Sequence, residues 1–361
     1  MSDKVSIIIP IHNGEKYICK LVKHLQCQTY KNIEIILVEN NSSDKSNVLC
    51  ERMGDKYKNV KVIVSKQSGT SFARKAGTQN STGKYILYMD QDDRYVNNKA
   101  IEEMLLVIKE DNSQICQFSC YKEYFGIFKR KLQLKVDREI YTREKLFADE
   151  IKGILGIKGS NFSVNVWSKI YDGDLLREVV NNVNESLVFA EDVYLNIFAF
   201  FNDKLEKVSV RNKAYYCWQF GVGFSSTIES GKALFKDYTV VKPLALKMLN
   251  KYKCNEEIIF SCLSETIWFH RFLVNEMILS GFERCYVEKS ITEMGEALPV
   301  KQAKQYFKQQ TLRELGEEFS FLTCEYTPEE YYSWCLEHME KRSFKVNMAN
   351  CLKKIIRWLR K

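Results

Sequence analysis

Five short apolar runs, separated by helical patterns, occupy the first third of the chain: Val5–Pro10, Ile33–Val38, Val60–Ser65, Tyr85–Met89 and Ile115–Ser119. Helices fit between them at Glu15–Gln28, Ser43–Lys56, Ser71–Asn80 and Asn97–Glu110, and Ser43 and Asp44 can cap the second of these. Strands that alternate with helices need crossover connections, so this rhythm predicts an α/β fold built on a mainly parallel sheet. Each run is apolar at odd and even positions alike, as expected when helices cover both faces of the sheet.

The rest of the chain changes character in stages. Residues 121–141 alternate polar and apolar side chains, which predicts a small antiparallel hairpin. Helical patterns return at Thr142–Ile151, Trp167–Val180 and Glu191–Phe201. Beyond Ser226 the pattern is almost wholly helical, with Gly281 and Pro299 as breaks. Three regions are therefore expected: an α/β domain over 1–225, a helical region over 226–345 and a terminal helix over 346–361. In the last of these, Leu352, Ile355, Ile356 and Leu359 form one face, and Lys353, Lys354, Arg357, Arg360 and Lys361 the other. A basic amphipathic helix carrying Trp358 suits an anionic membrane surface, and equally a terminal helix docked on the protein body.

Composition narrows the class. The 361 residues include 12 cysteines without CxxC spacing and only four histidines, which disfavours a structural zinc site. Thiols in that number point to a reducing compartment, so a cytoplasmic protein is expected, with no signal peptide before the first strand. No run reaches the ~18 apolar residues of a membrane span. The net charge of +8 permits anionic partners, and no nucleic-acid recognition module is visible.

The fourth apolar run ends in Asp90, Asp92 and Asp93. Ligands of open α/β sheets bind beyond the carboxyl ends of the strands. Carboxylates this close repel one another, and a hard divalent cation with substrate phosphates completing its shell is their natural partner. A solvated acidic turn before the next helix is the plainer reading of the same residues.

Three more segments join this one in order. Val5–Asn13 is a buried strand ending at Pro10 and Asn13, and Val38–Ser46 carries Glu39 and Asn40 beyond the second strand. Gly69–Gly77, with Arg74, precedes the aspartate strand, and Phe189-Ala-Glu-Asp192 follows about a hundred residues later. In this order and spacing the chain resembles the family 2 glycosyltransferases, inverting enzymes of GT-A fold, over residues 4–225.

That resemblance implies a nucleotide-diphosphate sugar as donor, Mn²⁺ or Mg²⁺ as cofactor and a glycan or lipid-linked hydroxyl as acceptor, in surface-polysaccharide synthesis at the cytoplasmic face of the membrane. Pro10, Asn13, Glu39 and Asn40 would then line the nucleoside crevice. Family members usually carry two aspartates where Glu39 and Asn40 stand. Asn40 can both accept and donate, so uracil is favoured and cytosine also fits. Arg74 would meet the diphosphate or a carboxylate of the site. Asp92 is implied as direct metal ligand, Asp90 as contact to the donor ribose or to the ion through water, and Asp93 as their orienting neighbour. Gln219 stands where many relatives place a metal-binding histidine. Asp192 is the implied catalytic base, with Glu191 beside it. Trp167 and Lys169 resemble the acceptor-side segment, where Trp167 would either stack on a sugar or fill the core. Two other functions use the same motifs: a nucleotide-sugar-binding relative without turnover, and a nucleotidyltransferase, which would release diphosphate.

Overall fold

The computed structural model describes residues 2–340 apart from 66, 125–127, 185, 189, 221–227, 280 and 309–324. The expected terminal helix over 346–361 lies outside the described residues, as does Phe189. The chain divides into two compact units, Met1–Ser226 with Leu244–Ile259, and Thr227–Pro243 with the chain from Phe260 on. The first unit thus includes a segment beyond residue 225 that the sequence places in the helical region.

In the first unit, β1 (Val5–Ile11), β2 (Ile33–Asn40), β3 (Val60–Ser65) and β4 (Tyr85–Tyr88) form an all-parallel run within one ten-stranded sheet. They connect through α1 (Glu15–Gln26), α2 (Ser46–Lys56) and α3 (Thr70–Gln79). The sheet order is β3-β2-β1-β4-β9-β6-β10-β5, where β5 is Arg94–Tyr95, β6 Ile115–Tyr124, β9 Lys169–Asp172 and β10 Lys207–Phe220. Helix α4 (Ala100–Glu110) connects β5 to β6. Two short strands, β7 (Phe128–Leu132) and β8 (Arg138–Thr142), pair antiparallel with β6 and β10 respectively.

Burial explains the central strands. Ile7, Ile8, Ile9, Ile35, Ile36 and Leu37 are wholly buried, so β1 and β2 present apolar side chains to helices on both faces. Each such side chain contributes roughly 1.5–3 kcal/mol relative to exposure. Helix α3 lies directly on the sheet because Gly77 has no Cβ. One placed there would stand 2.4 Å from Ile8 Cγ2 and 3.1 Å from Val38 Cγ2. Gly69, at the start of α3, has φ +132°, a backbone state that L side chains rarely adopt.

Several expected elements need correction. The helix predicted over Trp167–Val180 is a strand followed by a shorter helix, α6 (Gly173–Val179). Ile170 and Tyr171 are both fully buried on opposite faces, which a slot between β4 and β6 satisfies. The Asp172 carboxylate then accepts the Asp174 and Leu175 amides at 3.0 Å each and starts α6. Thr142–Ile151 divides into α5 (Arg143–Ala148) and a 3₁₀ segment, Glu150–Leu155. The hairpin over 121–141 is β6 with β7 only, since β8 crosses to β10. Helix α4 begins at Ala100, not Asn97, because Asn97 Oδ1 accepts the Lys99 amide at 2.8 Å in a preceding turn. Helix α7 (Glu191–Phe200) packs against α6.

The second unit is helical. Helices α8 (Ile228–Lys251) and α9 (Glu256–Leu279) each cross the division between the units, and α10 (Arg284–Gly295), α11 (Leu298–Lys308) and α12 (Pro328–Glu340) follow. Gly281, after α9, has φ +76°, and Pro299 lies in the first turn of α11, so both expected breaks fall at helix ends. Inside the unit Lys242 pairs with Glu265 at 3.2 Å, and His270 stacks on Tyr331 with ring centroids 5.1 Å apart. Among the described residues no helix is long and apolar enough to cross a membrane, and Cys27, Cys50 and Cys262 are among the free thiols.

Candidate active site

Strand direction gathers the motif residues on one edge. β9 runs antiparallel to both β4 and β6, and β10 parallel to β6, so β1, β2, β4, β6 and β10 all point the same way. Pro10–Asn13, Glu39–Asn40 and Asp90–Asp93 therefore stand together at the carboxyl ends of β1, β2 and β4.

Turn chemistry fixes the ends of β1 and β2. Asn13 has φ +48°, and its Oδ1 accepts the Ser43 amide at 2.8 Å. The ring of His12 meets the Asn40 carbonyl oxygen at 2.9 Å. Glu39 is buried, and its Oε1 accepts the Ser42 amide at 2.7 Å. Asn40 is also buried, and its Oδ1 has no hydrogen-bond partner. Gln91 carries no motif in the sequence, yet it clamps the two loops together. It accepts the His12 amide at 3.0 Å and donates to the His12 carbonyl at 2.9 Å.

Arg74 is the electrostatic centre. Its side chain, 6% exposed, donates to Asp90 Oδ1 at 3.2 Å, to Glu191 Oε1 at 3.0 Å and to Asp192 Oδ1. Of its two expected partners, diphosphate or carboxylate, the carboxylates hold it in this structure. Helix α3 thereby brings the start of α7 to the end of β4. Asp90 and Asp192 keep 34% and 16% of their side chains open, so both can meet a ligand that Arg74 cannot reach. Asp192 Oδ2 also accepts the Val166 amide at 3.2 Å.

Crowding raises several of these carboxyls. Burial, with Asp90 beside it, pushes Asp92 up to about 6. Burial raises Asp90 against the opposing pull of Arg74, and raises Asp93 well above the usual carboxylate range. Burial, with Asp192 next to it, raises Glu191 too, and Glu191 Oε2 is left without a partner. Asp93 is locked in place: its Oδ2 accepts the Tyr216 hydroxyl at 2.8 Å and its Oδ1 the Gln219 amide at 2.7 Å. The same Tyr216 oxygen accepts the Asp90 amide at 3.0 Å. Asp92 makes no ion pair among the described residues.

Trp167 and Lys169 are placed differently from one another. Trp167 is 6% exposed, stacked on Tyr216 at 4.7 Å and flanked by Trp218 at 5.8 Å, so its ring faces are covered by protein. Lys169 is fully buried on β9, and burial pushes its ammonium down to about 7. It donates to the carbonyls of Ser163, at 2.7 Å, and Asn165, at 2.5 Å. These bonds hold the turn whose next amide, Val166, reaches Asp192. Replacing Lys169 with methionine is expected to loosen that turn and lower kcat about 10- to 100-fold while the donor KM changes little, and Lys169→Arg should restore part of the loss. An equal rise in donor KM would place Lys169 on the donor side instead.

With this geometry in view, sequence and fold comparisons agree. Residues 6–165 match the family described as "Glycosyl transferase family 2". Glycosyltransferase GlyA of Streptococcus pneumoniae is 27% identical over 240 residues, 64% of this chain and 33% of that protein. A protein named cholesterol galactosyltransferase from Borreliella burgdorferi is 31% identical over 216 residues, 59% of each chain. The chain thus spans a third to three fifths of the length of these curated relatives. The crystal structure of S. aureus TarS superposes with a TM-score of 0.53 at 19% identity, covering 88% of this chain and 50% of that one. The architecture is that of GT-A glycosyltransferases, α/β with a large, mostly parallel sheet and a helical C-terminal region.

Proposed function

We propose that the protein transfers a sugar, with inversion, from a nucleotide-diphosphate donor to a hydroxyl of a glycan or lipid-linked acceptor in cell-surface polysaccharide synthesis. The observation that carries this reading is the Arg74 bridge, which ties the end of β4 to the start of α7. Asp90 and Asp92 take the donor side. Asp192 takes the proton of the acceptor hydroxyl as that oxygen attacks the anomeric carbon. Val166 and Arg74 orient the Asp192 carboxylate for this task. Pro10, Asn13, Glu39 and Asn40 line the nucleoside crevice. Uridine is the favoured base. S. aureus TarS 1–349, which shares the fold at 18% identity with a TM-score of 0.52, has been crystallised with UDP-GlcNAc.

A divalent cation fits the donor set at β4. Asp90, Glu191 and Asp192 share a single guanidinium, and Asp92 and Asp93 add charge beside Asp90, so a diphosphate could not approach without added positive charge. Among the described residues no three His, Cys, Asp or Glu side chains converge as a ready-made metal site. One or two carboxylates with donor phosphates suffice for Mg²⁺ or Mn²⁺, and Asp92, half-buried without an ion pair, is the residue that would hold the ion, with Asp90 assisting. Such an ion, when bound, neutralises the departing nucleoside diphosphate.

Release of nucleoside diphosphate from a panel of nucleotide sugars, with and without Mn²⁺, tests the reading. Nucleoside diphosphate without inorganic diphosphate is expected. Inorganic diphosphate instead would identify a nucleotidyltransferase, and binding without turnover across broad acceptors a non-catalytic relative. The pH response is a second test. Because the Asp92 carboxyl is raised to about 6, protons and cation compete for it, so Mn²⁺ affinity should rise as pH increases through 6. For the same reason the metal-free fold should lose stability as pH rises from about 4 to 6, and Mn²⁺ at pH 7 should restore it. Melting curves that ignore Mn²⁺ at pH 7 would remove Asp92 from the metal site.

A further inference from the structure

Strand β10 leaves the reaction centre with an unusual face. Tyr216, bonded to Asp93, is followed two residues later by Trp218, and alternate residues of a strand share a face. Trp218 is in register with Lys122 of β6, whose Nζ lies 4.9 Å from the Trp218 ring and 5.3 Å from that of Tyr124. Across the hairpin Lys122 pairs with Arg130 and Tyr124 with Phe128. Cross-strand partners project to the same side, so the face continues unbroken from β10 over β6 to β7. At its outer end Phe128 is 70% exposed, Arg130 is exposed, and Arg130 makes no ion pair among the described residues. The result is a stripe of rings interleaved with cations, which starts beside the Asp90–Asp93 loop.

We propose that Trp218, Lys122, Tyr124, Arg130 and Phe128 form an acceptor track, and that it takes a glycan bearing phosphodiester or similar anionic links between its sugars. This rests on the transferase reading above and adds the class of acceptor. The exposed ring of Phe128 can pack against the apolar face of a sugar, while ammonium and guanidinium groups bind phosphate oxygens. The charge arrangement favours an anionic acceptor in a particular way. The cleft itself is crowded with carboxylates, which repel anions, whereas the track sets its cations outside that cleft. An acceptor's terminal hydroxyl can then enter the cleft while its charged links stay on the stripe.

Binding of the full chain to three probes decides the matter: a poly(glycerol phosphate) chain, dextran of matched length, and phosphatidylglycerol vesicles. The expected result is binding to the phosphodiester polymer that weakens at least tenfold between about 50 and 300 mM salt, with dextran at least tenfold weaker. The Lys122→Gln/Arg130→Gln double variant should lose at least tenfold toward the polymer. The charge-preserving pair Lys122→Arg/Arg130→Lys should keep most of the affinity, which separates charge from fold. Equal binding of polymer by wild type and the double glutamine variant would overturn the proposal. So would dextran binding as tight as the polymer, or vesicle binding that the same substitutions abolish, which would make the stripe a membrane contact. Failure of the transferase reading shows elsewhere, as absence of nucleoside diphosphate release by the wild type, and polymer binding does not depend on turnover.

Discussion

Arg74→Met is expected to destabilise the first unit by about 3–5 kcal/mol, the usual penalty for removing one partner of a buried ionic cluster. The side chain is 6% exposed and donates to Asp90, Glu191 and Asp192, so its loss leaves three acidic groups facing one another. The deficit should depend on pH. At pH 8 more of these carboxyls are ionised and repel; at pH 5 Glu191, already raised by burial, is neutral and the loss shrinks. Denaturant midpoints of wild type and variant at the two pH values measure this directly. Arg74→Lys should recover little, since one ammonium cannot reproduce the fork that spans separate carboxylates. A variant as stable as wild type at pH 8 would mean that Arg74 does not bind the halves of the site together.

Asp192→Asn should lower kcat by about 10²–10⁴-fold, the range general-base removal produces, while the fold and donor affinity persist. Asparagine keeps the shape of the side chain and an oxygen able to accept the Val166 amide, and Arg74 retains Asp90 and Glu191. The deficit should therefore fall on kcat rather than on donor KM. Steady-state kinetics with saturating acceptor separate the two. A variant with wild-type kcat would leave the cleft without its base.

The sequence and the structure divide the information unevenly. Strands β1 to β4 are legible because their apolar runs are short, continuous and bounded by turn residues, and the loops that end β1, β2 and β4 follow directly from them. Strand β10 is not: Lys207-Val-Ser-Val-Arg-Asn-Lys-Ala mixes charge with apolar residues, and its pairing with β6 on one side and β5 and β8 on the other is set by long-range topology. Strand β9 looks helical in the sequence for a related reason. Four residues are too few to show a period, and only the slot between β4 and β6 makes Ile170 and Tyr171 both buried. At the site, Asp90, Asp92 and Asp192 stand out in the sequence. Their connection through Arg74 does not, because Arg74 and Glu191 are 117 residues apart. Lys169 carries no sign in the sequence that it is fully buried and bonded to backbone carbonyls. Gln91, lying between two aspartates, has one available signal: a neutral amide in an acidic loop can bond both backbone groups of a neighbouring strand end, as it does with His12.

The central claim is that one cleft has a donor side at the end of β4 and a separate base on α7. Calorimetric titration of UDP with Mn²⁺ into wild type, Asp92→Ala and Asp192→Asn tests it most directly. At least tenfold weaker UDP binding in Asp92→Ala, with near wild-type binding in Asp192→Asn, is the predicted result. Unchanged binding in Asp92→Ala, or a comparable loss in Asp192→Asn, would contradict it.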